Sequence, residues 1–137
     1  MTYPRRFAPG EGPPQIRALV ERLLPLLLAG DHPTLLILRE QLQGARVGSI
    51  ELSGTGFFAD IHVSAHAPKV EPPDFAGGDA KIKLEGIPVA AGCVLFVRGG
   101  HLFMLEGYIY DGNWDEDTLV QAVNDVFPIQ PPRESAD

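Results

Sequence analysis

Asp60, His62, Ser64 and His66 alternate along one segment, and two imidazoles with a carboxylate are residue types that bind transition metals. Spacing argues against that use. Alternate residues of a strand lie about 6.5–7 Å apart at their Cα atoms and His62 lies about twice that from His66, so one strand does not converge all three on an ion. Ligands from other strands would be required, and the remaining imidazoles, His32 and His101, stand in no metal-ligand spacing. A polar row facing solvent is expected here, with no metal and no cofactor.

The nucleophiles are equally isolated. Cys93, the single cysteine, stands between Gly92 and an apolar run, where a cysteine acts as a small buried hydrophobe, and no flanking base accompanies it. Ser53 sits among glycines in LSGTGFF, but the order Gly-x-Ser-x-Gly and a following helix are missing. His101 and Glu106 are an acid and base by type, yet five residues apart on a strand they fall on opposite faces. Neither glycine turn, 54–56 or 99–100, precedes Lys-Ser or Lys-Thr, so neither is a phosphate loop. Catalysis is the less favoured class.

Charge points to a surface instead. Eleven Lys and Arg against eighteen Asp and Glu leave a net charge of -7, which disfavours nucleic acid as a partner because neutralising phosphates takes clustered cations. Residues 99–132 contain no Lys or Arg, while Glu106, Asp111, Asp115, Glu116, Asp117 and Asp125 all fall there. Tyr108, Tyr110 and Trp114 accompany them. Amphipathic aromatics favour interface hot spots and acidic neighbours favour a basic counterpart. Glu106, Tyr108, Tyr110, Asp111, Asp115, Glu116 and Asp117 are therefore the candidate partner-binding residues. The competing reading has Tyr108 and Trp114 lock the last strand and a C-terminal helix onto the core.

The elements that must position these residues follow from periodicity. A length of 137 residues, 45% of them hydrophobic, suits one core without disulfides. Residues 1–12, rich in Pro and Gly, and the tail 130–137 are expected to be disordered, flanking a single α+β domain over 13–129. Pro13 and Pro14 open a helix with Ile16, Leu19, Val20, Leu23 and Leu27 at helical spacing, which Pro25 should kink or end early. Asp31 is the expected N-cap of a second helix, which buries Leu35, Leu38 and Leu42 and stops at Gly44.

The period then falls to two. Ile50 and Leu52, the GTG turn and the alternation over 57–65 make a hairpin, and Ala80, Ile82 and Leu84 a third strand. Residues 93–97 and 102–105, apolar on consecutive positions, form a central pair covered on both faces and joined by Gly99 and Gly100. Residues 67–78 hold three prolines and two glycines and read as a long mobile loop. Leu119, Val123, Val126 and Phe127 mark a C-terminal helix over 115–127, with Asp115, Glu116 and Asp117 at its positive end. The sum is α+β: an N-terminal helical pair, an antiparallel meander of about five strands and a C-terminal helix.

The apolar run 23–29 falls short of the ~20 residues that span a bilayer, and the N-terminus lacks the apolar core of a secretory signal. A cytoplasmic protein without membrane contact is expected. Through LLILREQ, GTGFF and LFVRGGHLFMLEGYIYDGNW the chain resembles, over residues 31–114, a group of small bacterial proteins of unassigned activity; the resemblance assigns no residue a role. In size, acidity and class it is also similar to immunity proteins, which neutralise toxin domains. The leading expectation is a non-catalytic, immunity-like interaction module that binds a basic protein partner through its acidic and aromatic surface. The alternative is a small-ligand-binding protein or enzyme with a pocket between sheet and helices. An edge strand also allows two copies to pair across a two-fold axis as a homodimer.

Overall fold

Proline begins both helices, at the first helical position where a missing N–H leaves no bond unmade. In the computed structural model, which describes residues 2–132, α1 (Pro14–Leu27) follows Pro13 and α2 (Pro33–Gln43) follows His32. Two expectations are corrected here. Pro25 does not end α1 early: it falls in the last turn, and the helix runs on to Leu27. His32, not Asp31, caps α2: its Nδ1 accepts the Thr34 N–H at 3.1 Å. The residue before a proline is driven to extended backbone, which is the geometry an N-cap needs, and that residue is His32.

Eight strands accompany the helices: β1 (Arg5–Phe7), β2 (Arg46–Leu52), β3 (Gly56–His62), β4 (Phe75–Gly77), β5 (Asp79–Leu84), β6 (Gly92–Arg98), β7 (His101–Tyr108) and β8 (Val120–Phe127). Six form one antiparallel sheet in the order β1-β2-β3-β7-β6-β4, and β5 pairs separately with β8. The α+β class and the N-terminal helical pair stand. The meander of about five strands does not, since β7 inserts between β3 and β6 and three strands were not expected.

The C-terminal helix is the main correction, because residues 120–127 are a strand. Leu84 lies opposite Val120 and Ile82 opposite Val123, so two residues of β5 face three of β8. A second irregularity follows between Asp79 and Lys81, near Asp125, whose φ is 46°. Each bulge adds one residue to a period of two, and the inward valines 120, 123 and 126 thereby acquire a spacing of three that imitates a helix. Their β-branched side chains favour the strand. Asp115, Glu116 and Asp117 consequently lie in a turn and meet no helix dipole.

Residues 67–78 are pinned rather than loose. Val70 is buried and its N–H donates to Gly100 O at 3.0 Å, Gly100 N–H donates to Pro73 O at 2.9 Å, and Asp74 Oδ1 accepts the Gly99 N–H at 2.9 Å. Gln41, on α2, completes the clasp: its amide donates to Pro68 O and Gly100 O and accepts from Leu102 N–H. The segment ends in β4, paired with β6. The stretch 1–12 likewise contains β1, which pairs with β2. Of the tail read as disordered, residues 133–137 lie outside the described residues.

One core joins these pieces. Ile16, Leu19, Val20, Leu23 and Leu27 of α1 and Leu35 and Leu38 of α2 bury against Ile50, Leu52, Phe57, Leu95, Val97 and Leu105 of the sheet. Ala80, Ile82 and Leu84 add the inner side of β5 to the same cluster. The strand residues between them, half-exposed, point to the other face of the sheet, which carries no helix among the described residues, so β6 and β7 are covered on one face and not on both as expected. No helix among the described residues is long and apolar enough to cross a membrane.

Candidate functional site: the open face of the sheet

Period-two alternation decides what the open face presents. Glu51 of β2 lies opposite Phe58 of β3, Phe58 opposite Glu106 of β7, and Glu106 opposite Val94 of β6. Directly paired residues stand about 5 Å apart at Cβ, so Phe58 is flanked by a carboxylate on each side. Among the described residues no hydrogen bond or ion pair engages the side chain of Glu51 or Glu106. The next row runs Asp60, Met104, Phe96 and Ala76. Arg6, Ser49, Glu51, Phe58, Asp60 and Met104 line a depression of about 300 Å³.

Arg6 of β1 stands directly opposite Glu51 and shares its depression, whereas no arginine is paired with Glu106 in the register. Arg6 donates to Ser49 Oγ at 3.2 Å and lies 3.7 Å from Asp60, while Ser49 Oγ donates to Asp60 at 2.6 Å. Arg98 sits over the Phe96 ring, 5.9 Å from its centroid. Tyr108 closes the row beyond Glu106. Gly92 makes room for it, since a Cβ there would lie 2.7 Å from the phenol oxygen. The exposed Tyr110 meets Tyr108 edge to face at 5.7 Å. Burial, a hydrogen bond with Tyr110 and the nearby Asp79 push the Tyr108 phenol up to about 12, so it stays protonated and remains a hydrogen-bond donor at neutral pH.

The residues singled out from sequence therefore divide. Glu106, Tyr108 and Tyr110 gather at one end of the open face. Asp111 is exposed in the turn that follows. Asp115, Glu116 and Asp117 are drawn elsewhere: Asp115 Oδ1 accepts the Asp117 N–H at 2.9 Å and the Thr118 hydroxyl at 3.1 Å, while Glu116 pairs with Arg5 and its carbonyl accepts from Gln15. Trp114 is wholly buried against Phe57. Glu51 and Phe58 were missed in the sequence, though their strand alternation placed both on the outer face; only the pairing register shows that they flank and are flanked.

The groups weighed for catalysis are held in structural contacts. Ser53 Oγ donates to Gly56 O, His101 Nε2 lies 3.0 Å from Ala67 O, and Ser64 Oγ accepts from His66 N–H beyond the end of β3. The His62 ring covers Gly48, where a Cβ would lie 2.1 Å from Nε2. Cys93 is buried, and that burial, with Asp79 adding to it, pushes its thiol up to about 12, the opposite of an activated nucleophile. No group of three or more His, Cys, Asp or Glu able to hold a metal occurs among the described residues.

No family model, curated protein or solved structure matches the chain.

Proposed function

We propose that the protein is a non-catalytic interaction module that takes a basic protein partner on the open face of its sheet. The row Glu51, Phe58, Glu106 carries the reading. A lysine or arginine laid on Phe58 gains the attraction of the ring face and two carboxylates at once. Glu106 breaks no side-chain hydrogen bond or ion pair among the described residues to receive it, and at Glu51 the incoming cation joins the neighbouring Arg6. Met104 and Phe96 supply apolar contact beside this row, and Tyr108 and Tyr110 supply amphipathic aromatics at its end. Asp111 and the Asp115 to Asp117 turn add long-range attraction.

A labelled sample titrated with a lysine-rich peptide of alternating Lys and Leu tests this by amide chemical shifts. Perturbations at Phe58, Met104, Glu106 and Tyr108 are expected. They should weaken steeply between 0.05 and 0.5 M salt, as the screening length falls below ~10 Å, and by at least about tenfold in the Glu51→Gln, Glu106→Gln double variant. Perturbations confined to residues 111–117, unchanged in that variant, would remove the open face as the interface.

A further inference from the structure

Away from the open face, on the helix side, the C-terminal ends of α1 and α2 stand off β2 and β3. A cleft of about 370 Å³ opens there. One wall is apolar, made of Leu24 and Pro25 from α1, Leu42 from α2, Val47 from β2 and Ile61 from β3, and Arg17, Glu21 and Arg46 give the rest of the lining nearly as much polar surface. Arg17 and Arg46 stand at its rim and also line an adjoining depression of about 640 Å³ that reaches His62.

Among the described residues neither guanidinium is held by a carboxylate through a hydrogen bond or ion pair. Arg17 donates only to backbone carbonyls, those of Ala8, Glu11, Val47 and Gly48, and none of these carries a negative charge. Arg46 is exposed and, among the described residues, no hydrogen bond or ion pair engages its side chain. Glu21 is the one carboxylate lining the cleft and offsets one of the two charges. In a chain of net charge -7, a slot with one apolar wall bordered by net positive charge selects a ligand with an apolar body and an anionic end.

We propose that this cleft binds a small unbranched aliphatic carboxylate, its chain against Leu24, Leu42, Val47 and Ile61 and its carboxylate on Arg46. Decanoate is the member of this class used to test it. Arg17, fixed by its carbonyl bonds, supplies field rather than donors; Arg46 supplies the donors. The site is independent of the open-face reading and shares no residue with it.

The test is a titration of methyl-labelled protein with decanoate below its micelle concentration, with octanoate, hexanoate and decyltrimethylammonium alongside. Methyl shifts at Leu24, Leu42, Val47 and Ile61 are expected, with affinity falling about fourfold for each methylene removed. Arg46→Ala, an exposed position that leaves the fold intact, should weaken decanoate about tenfold or more, and Glu21→Gln should strengthen it. The proposal is overturned if those methyls stay still, if the cationic amphiphile binds as well as decanoate, if Arg46→Ala changes nothing, or if the shifts fall at Phe58 and Met104, which would mark adsorption to the open face.

Discussion

Trp114 meets Phe57 edge to face, ring centroids 5.1 Å apart at 89°, and Phe57 in turn lies over Gly107, whose missing Cβ leaves the space its ring occupies. The contact fastens the chain beyond β7 to the middle of the sheet. Trp114 is 0% exposed, and its indole Nε1 has no hydrogen-bond partner among the described residues. Trp114→Ala should cost about 3–5 kcal/mol. Trp114→Phe should cost less than half as much, because it removes a buried donor that gains nothing in the fold. Urea denaturation followed by circular dichroism distinguishes the two.

Two glycines on strands β3 and β6, which flank β7 and both lie opposite Tyr108, should respond very differently to alanine. At Gly56 a Cβ would lie 1.9 Å from the backbone carbonyl of Gly107, and backbone does not yield. Gly56→Ala should exceed the ~1–3 kcal/mol of ordinary overpacking. At Gly92 the obstacle is the far end of Tyr108, which can swing away. Gly92→Ala should cost only about 1 kcal/mol by the same measure, and thermal melts of the pair provide the comparison.

Gln41, 2% exposed, should be more important to the 67–78 segment than any residue within it. Gln41→Leu leaves the carbonyls of Pro68 and Gly100 and the N–H of Leu102 without their side-chain partner. Each such loss costs about 1–3 kcal/mol when the group stays buried. Amides of Val70 and Gly100 should then exchange much faster than those of β6, and proteolysis should begin between residues 67 and 74. Unaltered exchange at Val70 would show that β4 alone holds the segment.

Alkaline pH should destabilise the protein through Cys93. The folded thiol is pushed up to about 12, chiefly by burial, whereas its ordinary value is 9.0. Above pH 9 the unfolded chain releases this proton and the folded chain keeps it, so unfolding is favoured progressively as pH rises from 9 towards 12. Stability from this group is complete below that window. Urea midpoints at about pH 8 and about pH 11 should differ less in Cys93→Ala than in the parent, and thiol reagents at neutral pH should label Cys93 only as fast as the protein unfolds.

Periodicity exposed most of the fold where strands and helices are regular. Ile16 to Leu27, Leu35 and Leu38, and the alternations in β3 and β5 all face where their spacing put them. It misled where a backbone irregularity changed the count, as at the bulges of β8, where valines three apart lie in a strand. It was silent on β1 and β4, three residues each, too short to show a period. For the candidate site, the sequence located Glu106, Tyr108 and Tyr110 through charge and aromatic content. It did not separate them from Asp115 and Glu116, because Arg5 and Gln15 claim Glu116 from more than a hundred residues away.

The strand order has a consequence for synthesis. On a ribosome, β3 emerges with β2 already available on one side, but its other neighbour is β7, with β4, β5 and β6 translated in between. For that interval the nascent chain carries Phe57, Ala59 and Ile61 on a strand whose second edge is unsatisfied, the arrangement that recruits stray strands. The β6 and β7 hairpin therefore acts as the closing stitch, and slow translation or misfolding across residues 92–108 should lead to aggregation rather than to a stable half-molecule.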